Sequence, residues 1–425
     1  MKESGIDWIG QIPEEWGVKA IKYIFDEIGS GSTPKSDNEI FYDGDINWIQ
    51  SGDLYQTDTV TSVSKTISYQ GFKSTSALKI YKHPFIALAM YGASVGNVAI
   101  SCIDACVNQA VVVMLGTSEK VRFGKYAIEA SKNNLIFSAQ GGTQPNISQS
   151  LIKNWNIPQP DSSEQTKIAD FLDKKTSQLD KVKALQEEQI QKLKDYRASL
   201  IYETVTKGLD KNVHMKDSGI DWIGQVPEGW GVGKVKYFSQ ISAGATPDRN
   251  NSLFWNGNIN WMSSGEVNQG IVKHTSETIT DLALKRTSTK LLPNGTVMLA
   301  LNGQGKTKGT AAVLAIESAS NQSLASFIVD NKILNNMYLY YFFVADYYNI
   351  RGLKGEDRDG LNLQLVSNIV IPLFELEEQQ KIVDFLDKKT VQIDKLIQIK
   401  NEQIDNINKQ RQTLIYDYVT GKRRV

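Results

Sequence analysis

The stretch "SGIDWIGQ", Ser4 to Gln11, returns unchanged as Ser218 to Gln225, 214 positions further along the chain. The match runs on: "IPEEWGV" (Ile12 to Val18) is answered by "VPEGWGV" (Val226 to Val232), with Trp16 and Trp230 in step. Eight consecutive identities do not arise between unrelated segments, so the chain is read as two copies of one plan. Working outward, "GSTP" at Gly31 to Pro34 meets "GATP" at Gly244 to Pro247, and "NWIQSGD" from Asn47 meets "NWMSSGE" from Asn260. Asn108 and Gln109 pair with Asn321 and Gln322, and "EQTKIADFLDKKTSQLDKV" from Glu164 pairs with "EQQKIVDFLDKKTVQIDKL" from Glu378. Between these anchors the halves diverge: "GGTQPNISQSLIKNWNIPQP" faces "GEDRDGLNLQLVSNIVIPLF" with only scattered agreement. The chain is a nearly identical frame carrying two different inserts.

At 425 residues the chain exceeds what one hydrophobic core ordinarily organises, which fits two similar globular parts. No apolar run approaches 18 residues, and "MKESGIDWIGQ" lacks the charged-then-apolar pattern of a signal peptide. A soluble, cytoplasmic protein without membrane contact is expected. Cys102, Cys106, His83, His214 and His274 are the whole thiol and imidazole inventory, too scattered for a zinc site, so no metal is expected and both thiols are read as buried and reduced. Lys plus Arg equal Asp plus Glu at 47 each, which excludes a globally basic nucleic-acid binder and leaves room for a local basic groove.

From Glu164 to about Lys207 there is no Pro or Gly before the end, charges are dense, and Ile168, Leu172, Leu179, Val182, Leu193, Tyr196 and Leu200 fall at heptad spacing. The second copy keeps the register with Ile382, Leu386, Ile393, Leu396, Ile407 and Leu414, and places Lys389 where the first has Lys175. Two helices of about 40 residues, roughly 60 Å each, are predicted. Pairing the two antiparallel within one chain buries the narrow stripe. Packing on the globular parts, or a coil between copies, would bury it as well.

The globular segments read as mixed strand and helix. "PFIALAMYG", "NVAISCIDACVNQAVVVML" and "TVMLALNG" predict strands; "RFGKYAIEASKN" and "NNMYLYYFFVADYYN" predict helices, each followed by a polar loop. Short strands in "NWNIP" and "NIVIP" then feed the long helices. The organisation expected is an N-terminal segment 1–18, a globular domain 19–160, a central helix 161–212, the repeated connector 213–232, a second domain 233–374 and a C-terminal helix 375–425. The fold class is α+β, two similar domains separated by two long antiparallel coiled-coil helices.

"ALNGQGKT", Ala300 to Thr307, satisfies the relaxed phosphate-loop pattern. The equivalent first-half stretch is "AMYGASVGN", without lysine, and "KGTAAVLAI" after Thr307 reads as strand, whereas a phosphate loop needs a helix N-terminus behind it. The segment is read as a glycine-rich loop that approaches a nucleic-acid backbone with Lys306 and Lys308. No nucleophile elbow and no Asn/Asp-Pro-Pro-aromatic tetrapeptide of an amino-methyltransferase is present, so no catalytic residue is assigned.

Hydrogen-bonding capacity on loops is enriched instead. The candidates are Ser51, Asp53, Gln140, Thr143, Gln144 and Asn146 in the first half, and Ser263, Ser264, Glu266, Asn302, Gln304, Lys306, Lys308, Arg351, Lys354 and Arg358 in the second. Asn, Gln and Arg are the side chains that pair bidentately with base edges. The Asn-Gln pairs and the "GSTP" and "GATP" loops recur in both halves, so a service to the fold is the alternative for them.

These marks together, "IDWIGQIPEEW" and "IDWIGQVPEGW", the two Thr-Pro loops, "NWIQSGD" and "NWMSSGE", "GGTQPNIS", and "PQPDSSEQTKIADFLDKKT", resemble the DNA specificity subunit of Type I restriction-modification enzymes over essentially the whole chain. Two departures are "GEDRDGLN" in place of "GGTQPNIS" and two extra residues in "GQGKTKG". The resemblance implies two target recognition domains, each reading one part of a bipartite site in double-stranded DNA, and two helices that fix the spacing. It implies docking of two methyltransferase subunits, which carry S-adenosylmethionine, and of two restriction subunits, which use ATP and Mg, with no cofactor bound by this chain. The symmetry of the repeat, in which the second copy directly follows the first long helix, places the first "SGIDWIGQ" near the end of the C-terminal helix, closing a pseudo-circular arrangement with Trp8, Trp16, Trp222 and Trp230 as anchors. A stand-alone nucleotide-binding enzyme and a coiled-coil adaptor without DNA affinity are the rival classes.

Overall fold

The computed structural model describes residues 1–139, 145–353 and 360–425. Ten α-helices occur among them: α1 (Tyr69–Lys73), α2 (Ser118–Ala130), α3 (Lys132–Ser138), α4 (Gln149–Asn154), α5 (Ser162–Lys207), α6 (Asp281–Arg286), α7 (Asn336–Ala345), α8 (Tyr347–Gly352), α9 (Leu363–Ser367) and α10 (Leu376–Val419). Contacts divide the chain into two units, Met1–Gln186 with Asn401–Val425, and Glu187–Lys400. Each unit holds one globular part, one half of α5 and one half of α10.

In the first unit a five-stranded sheet runs in the order Glu27–Ser30, Val111–Leu115, Phe85–Ala89, Val98–Ser101, Thr59–Val60, antiparallel except for its last, parallel pair. A three-stranded sheet centred on Tyr42–Ile49 stands beside it. The second unit repeats this with Ser239–Ala243, Leu324–Val329, Val297–Ala300, Ala311–Leu314 and Ile271–Val272, and with Trp255–Met262 at the centre of the smaller sheet. The predicted strands are all present. Phe85–Ala89 and Val297–Ala300 are buried along their whole length, which is why they read as continuous apolar runs rather than alternations. Cys106 lies in this strand-rich interior, where burial pushes its thiol up to about 12, but Cys102 is exposed. The expectation of two buried thiols fails because the chain leaves the sheet after Ser101.

The strand that leaves each globular part, Asn156–Gln159 or Val370–Leu373, pairs antiparallel with the strand that enters it, Gly17–Ala20 or Gly231–Lys234. This two-stranded clasp delivers the chain into α5 and α10. Both start in the same way: the Trp16 indole donates to Glu164 at 2.6 Å and the Trp230 indole to Glu378 at 3.3 Å.

The long helices have 46 and 44 residues, about 70 and 65 Å at 1.5 Å per residue. Within the first unit the beginning of α5 meets the end of α10, with Ile168 and Leu172 packed in one cluster with Ile415 and Val419, and Phe171 over Tyr418 at 4.4 Å. Within the second unit Ile201 and Val205 share a cluster with Ile382, Val383 and Leu386. The helices are therefore antiparallel in each unit. The heptad reading holds at these ends, where the stripe also faces a globular core. Leu200 and Leu414 are half-buried against these same clusters. Elsewhere the heptad reading needs correction: Val182 is 44% exposed, Leu396 47% and Tyr196 55%, and Leu179, Leu193 and Ile407 are half-buried. Away from the globular cores a helix pair has too little surface to enclose a whole stripe. Lys175 and Lys389 leave the seam, each with its ammonium 5.9 Å from the ring of Phe171 or Phe385, and the neighbouring Thr176 and Thr390 are buried instead. Their hydroxyls donate back to Leu172 and Leu386 and meet the phenols of Tyr126 and Tyr341, which donate to Asp173 and Asp387. Burial raises both phenols far above their ordinary range.

The first "SGIDWIGQ" packs against the end of α10. Tyr416 donates to the Ile9 carbonyl at 3.4 Å, and the equivalent Tyr202 at the end of α5 donates to the Ile223 carbonyl at 3.4 Å. Arg424 adds ion pairs with Glu15 and Glu164 and lies over the Trp16 ring. Removing Met1 to Val18 is therefore expected to expose the last turns of α10. Hydrogen exchange should rise in residues 411–419 and stay unchanged in residues 376–400; uniform protection of α10 would contradict this role.

The copies differ beside the helices. In the first unit Lys125, 2% exposed, donates to Asp58 at 2.6 Å and Glu129 at 2.8 Å, and Arg411 pairs with both acids and with Asp180. Burial pushes the Asp58 carboxyl up, and Lys125 and Arg411 outweigh it and hold it below its usual value. In the second unit Arg197 and Asp394 keep the Arg411–Asp180 pair at the same 3.4 Å, but Tyr340, Val344 and Gly270 occupy the positions of Lys125, Glu129 and Asp58.

A second difference is a liability. Asp346, 4% exposed, caps α7 where Ser131 caps α2, and its Oδ1 has no hydrogen-bond partner among the described residues. Burial pushes its carboxyl up to about 7, with Asn349 opposing. Below about pH 4 this group is protonated in folded and unfolded chain alike and costs nothing by linkage. As pH rises towards 7 only the unfolded chain ionises, so stability is lost across that window. Asp346→Ser should raise the unfolding free energy obtained from urea titration at pH 8 by about 2–4 kcal/mol, and bring no such gain at pH 4. A gain independent of pH would show that the carboxylate is not its source.

Candidate nucleic-acid interface

One end of each five-stranded sheet gathers the polar loops. In the first unit the turn between Phe85–Ala89 and Val98–Ser101 meets the Asn108–Gln109 turn, since the Met90 amide donates to the Ala110 carbonyl at 2.8 Å. The Asn108 amide in turn donates to Ile49, which brings the Gln50–Leu54 turn to the same end. The Gly31–Pro34 loop closes over it: a Cβ on Gly31 would collide with the Val107 carbonyl, and a Cβ on Gly244 with that of Ser320. Thr33 donates to Gln109 and Thr246 to Gln322, while the indoles of Trp48 and Trp261 donate to Ser32 and Ala245 at 3.2 and 3.0 Å. Asn108 and Asn321 accept from the amides two residues on, of Ala110 and Ser323. The recurring Thr-Pro loops and Asn-Gln pairs thus brace one another.

The candidates in "NWIQSGD" and "NWMSSGE" are also committed internally. Asp53 accepts from the amides of Gln50 at 2.8 Å and Ser64 at 3.0 Å. Glu266 accepts from the Ser263 amide and hydroxyl at 2.6 and 3.1 Å and from the Ser276 amide at 2.7 Å. Both carboxylates staple a 3₁₀ turn to the loop that follows it. Ser51, Ser263 and Ser264, half-buried, form the starts of these turns. Base recognition was the sequence expectation for Asp53 and Glu266; the structure gives their oxygens backbone amides as partners.

The loops that differ between the units are the turns at 90–97 and 301–310. In the first, the Lys132 ammonium of α3 donates to Asn97 at 2.6 Å, and Gly96, at φ +76°, lies against Ile136 of the same helix. In the second, the Arg351 guanidinium of α8 donates to the carbonyls of Gly305 at 2.7 Å and Lys308 at 3.1 Å, and Tyr347 donates to the Lys306 carbonyl at 2.9 Å. A Cβ on Gly309, at φ +83°, would press on Arg351 itself. The loop returns directly into the strand Ala311–Leu314, so "ALNGQGKT" is a strand-to-strand turn with no helix N-terminus to cradle a phosphate. Asn302, Gln304 and Lys306 are exposed on it, and Lys308 is half-buried. Asn302 lies against Gly360, and the Leu361 amide donates to Leu301 at 3.1 Å, so the returning chain abuts the same loop. Asn146 is exposed at the corresponding place of the first unit, where the Ile147 amide donates to Met90 at 2.8 Å. Gln140, Thr143, Gln144, Lys354 and Arg358 lie outside the described residues.

The structure therefore brings Asn302, Gln304, Lys306, Lys308 and Arg351 together and makes Arg351 the support of the loop rather than a free arm. Lys132 and Tyr347, which hold the two loops, escaped the sequence reading. Their signal was weak: each opens the short helix that follows a longer one.

The family model for the Type I restriction modification DNA specificity domain matches twice, over residues 13–194 and 227–409. The chain belongs to that family. It is 24% identical over 439 aligned positions to the Type I restriction enzyme MjaIX specificity subunit of Methanocaldococcus jannaschii, covering 98% of this chain and 95% of that one. It is 25% identical over 186 positions to the EcoR124I/EcoR124II specificity subunit of Escherichia coli, covering 42% and 43%. Its fold resembles a chain from the structural study of complex assembly and conformational transition of the type I R-M system, with a TM-score of 0.75 at 15% identity over 96% of this chain and 98% of that one. The HsdS subunit from Thermoanaerobacter tengcongensis gives 0.53 at 16% identity over 97% and 98%. The chain is thus a specificity subunit of a type I restriction-modification system, with two similar domains and two long helices. Among the described residues no helix is long and apolar enough to cross a membrane.

If Arg351 supports the loop, Arg351→Ala should leave the fold intact and speed amide exchange in residues 303–309 at least tenfold, since charge-assisted bonds to two carbonyls are worth about 1.5–3 kcal/mol each. Unchanged exchange there would sink this assignment.

Proposed function

We propose that each globular part is a target recognition domain, 19–160 and 233–374, and that each reads one half of a bipartite double-stranded DNA site through the loops at its sheet end. The observation that carries this reading is the contrast within each unit. The bracing of the two ends is the same, Thr to Gln and Trp to carbonyl, but the turns they brace differ in length, sequence and support. A site that recognised one structure twice would have no reason to diverge there. Asn302, Gln304 and Lys306 supply one donor-acceptor set, Asn146 belongs to the other, and Gln140, Thr143, Gln144, Lys354 and Arg358 extend both.

The helices serve as spacer and dock. Val182 and Leu185 on α5 are 44% and 55% exposed, and the equivalent Leu396 and Ile399 on α10 are 47% and 41% exposed. An apolar pair one turn apart, left in water at the same register of both copies, fits a partner that binds twice in the same way. Two methyltransferase subunits are that partner, with S-adenosylmethionine and the transfer to adenine on their side. Two restriction subunits, with ATP and Mg, complete the assembly. The chain itself contributes recognition and geometry, and no bond-making residue.

The test is methylation mapping. Expressed with its cognate methyltransferase subunit, the protein should direct adenine methylation to a motif of two unlike halves with a fixed gap, read by single-molecule sequencing across a genome. A stable complex that methylates without any motif would overturn the reading.

A further inference from the structure

Tyr23 and Tyr237, 73% and 69% exposed, are the one identical pair at equivalent positions among the exposed large apolar and aromatic side chains of the described residues. Each follows a lysine in a 3₁₀ turn, within "KAIKY" (Lys19 to Tyr23) and "GKVKY" (Gly233 to Tyr237). The arrangement around them is the same twice. Lys22 donates to Asn154 at 2.7 Å with its ammonium 4.9 Å from the Tyr23 ring centroid, and Lys236 donates to Asn368 at 2.9 Å and lies 5.4 Å from the Tyr237 ring.

No contact among the described residues accounts for the exposed pair. The ring of each tyrosine covers no core, and the fold is already held here by the apolar Ile21 and Val235 beneath. Neither Lys22 nor Lys236 has a carboxylate partner among the described residues, and the same is true of Lys19 and Lys234 beside them. In the first half the acids that follow Lys22, Asp26 and Glu27, are already paired with Lys120 and Lys79. Each half therefore presents one such ammonium group and a phenol on an exposed turn, with a second ammonium on the strand that leads into it.

The turn is also close to the reading loops. Helix α4 begins just after Ile147, whose amide is bonded to Met90, and ends at Asn154; its six residues span about 9 Å. Helix α9 likewise starts after Leu361, bonded to Leu301, and ends at Ser367, with Asn368 the residue that follows. The major groove is about 12 Å wide, so a loop seated in it has a sugar-phosphate backbone within that reach.

We infer that Lys22–Tyr23 and Lys236–Tyr237 grip the phosphate backbone of duplex DNA, one pair on each side of the bipartite site. Identical residues cannot read two unlike half-sites. They can hold the backbone, which is the same at both, because phosphate contacts set position and carry no sequence. The Asn contact fixes the direction of each ammonium, and the phenol supplies a neutral donor beside it. This assignment rests on the reading of the protein as a bipartite DNA reader and names the part of that interface that is independent of sequence.

The experiment compares the complex with its methyltransferase subunit, unaltered and carrying Lys22→Gln with Lys236→Gln, on a duplex containing the methylated motif and on an unrelated duplex over 50–300 mM salt. The double variant should weaken both duplexes by the same factor and make the slope of log affinity against log salt shallower by about two, one for each lost phosphate contact. The motif found by methylation mapping should not change. Tyr23→Phe with Tyr237→Phe should weaken both duplexes more mildly at an unchanged slope. An unaltered slope with the complex intact would mean a solvated patch and overturn the inference. Loss of the methyltransferase subunit in sedimentation would overturn it in favour of a protein dock. Failure of the broader reading shows separately, as an unaltered complex with no motif at all.

Discussion

The hydrogen bond between a tryptophan indole and the glutamate in the first turn of a long helix, Trp16 to Glu164 and Trp230 to Glu378, is the constraint on which each unit depends. It joins the strand that enters a globular part to the helix that leaves it, across a two-stranded clasp only four residues long. A clasp that short has little stability alone. With the indole bond and the buried ring, its direction becomes the direction of the helix. The glutamate also sits where a carboxylate complements the positive end of the helix. This accounts for the survival of "SGIDWIGQ" and the tryptophan after it in both copies. They determine where both helices point.

Variable loops and frame are then separated in the physics of the chain. Frame bonds are made by groups that leave no choice: indole N–H to a backbone carbonyl, Thr to Gln, Asp53 and Glu266 to backbone amides. Side chains tied to backbone tolerate change in everything around them, because their partners do not depend on sequence. The turns at 90–97 and 301–310 are supported differently in each unit, by Lys132 on an Asn side chain and by Arg351 on two carbonyls. The difference shows that the support is exchangeable as long as the strand ends stay braced. Polar loops on such a brace can change their hydrogen-bonding pattern without cost to the core beneath.

Most of the frame was legible in the sequence because it is printed twice. Repetition identified the Thr-Pro loops, the Asn-Gln turns and both helices before any periodicity was weighed, and continuous apolar runs marked the buried strands. What failed were distinctions that depend on neighbours. Val182 and Leu396 fit the heptad as well as Leu172 and Leu386 do, but only the latter have a globular core above them. Lys175 and Thr176 are adjacent, and the choice of which turns inward is made by Tyr126 from another helix. Asp53 and Glu266 look like base readers on loops, since composition does not reveal a backbone amide eleven or ten residues away. Spacing along one segment carries no record of these partners.

The asymmetry beside the helices follows from the same logic. In the first unit the contact between α2, α5 and α10 is ionic, with the Lys125 ammonium and the Arg411 guanidinium shared among three acids; in the second it is Tyr340 and Val344 around a single Arg197–Asp394 pair. A buried ionic cluster is often no more stabilising than the apolar packing that replaces it, but breaking one member leaves charge without a partner. The two arrangements can therefore coexist on one frame at similar stability. They differ in tolerance. The apolar version accepts stepwise change, whereas the ionic version ties Asp58, Glu129 and Arg411 to Lys125, its one fully buried member. The Arg–Asp pair is common to both copies, and the copies differ here in whether the Lys125 set surrounds it.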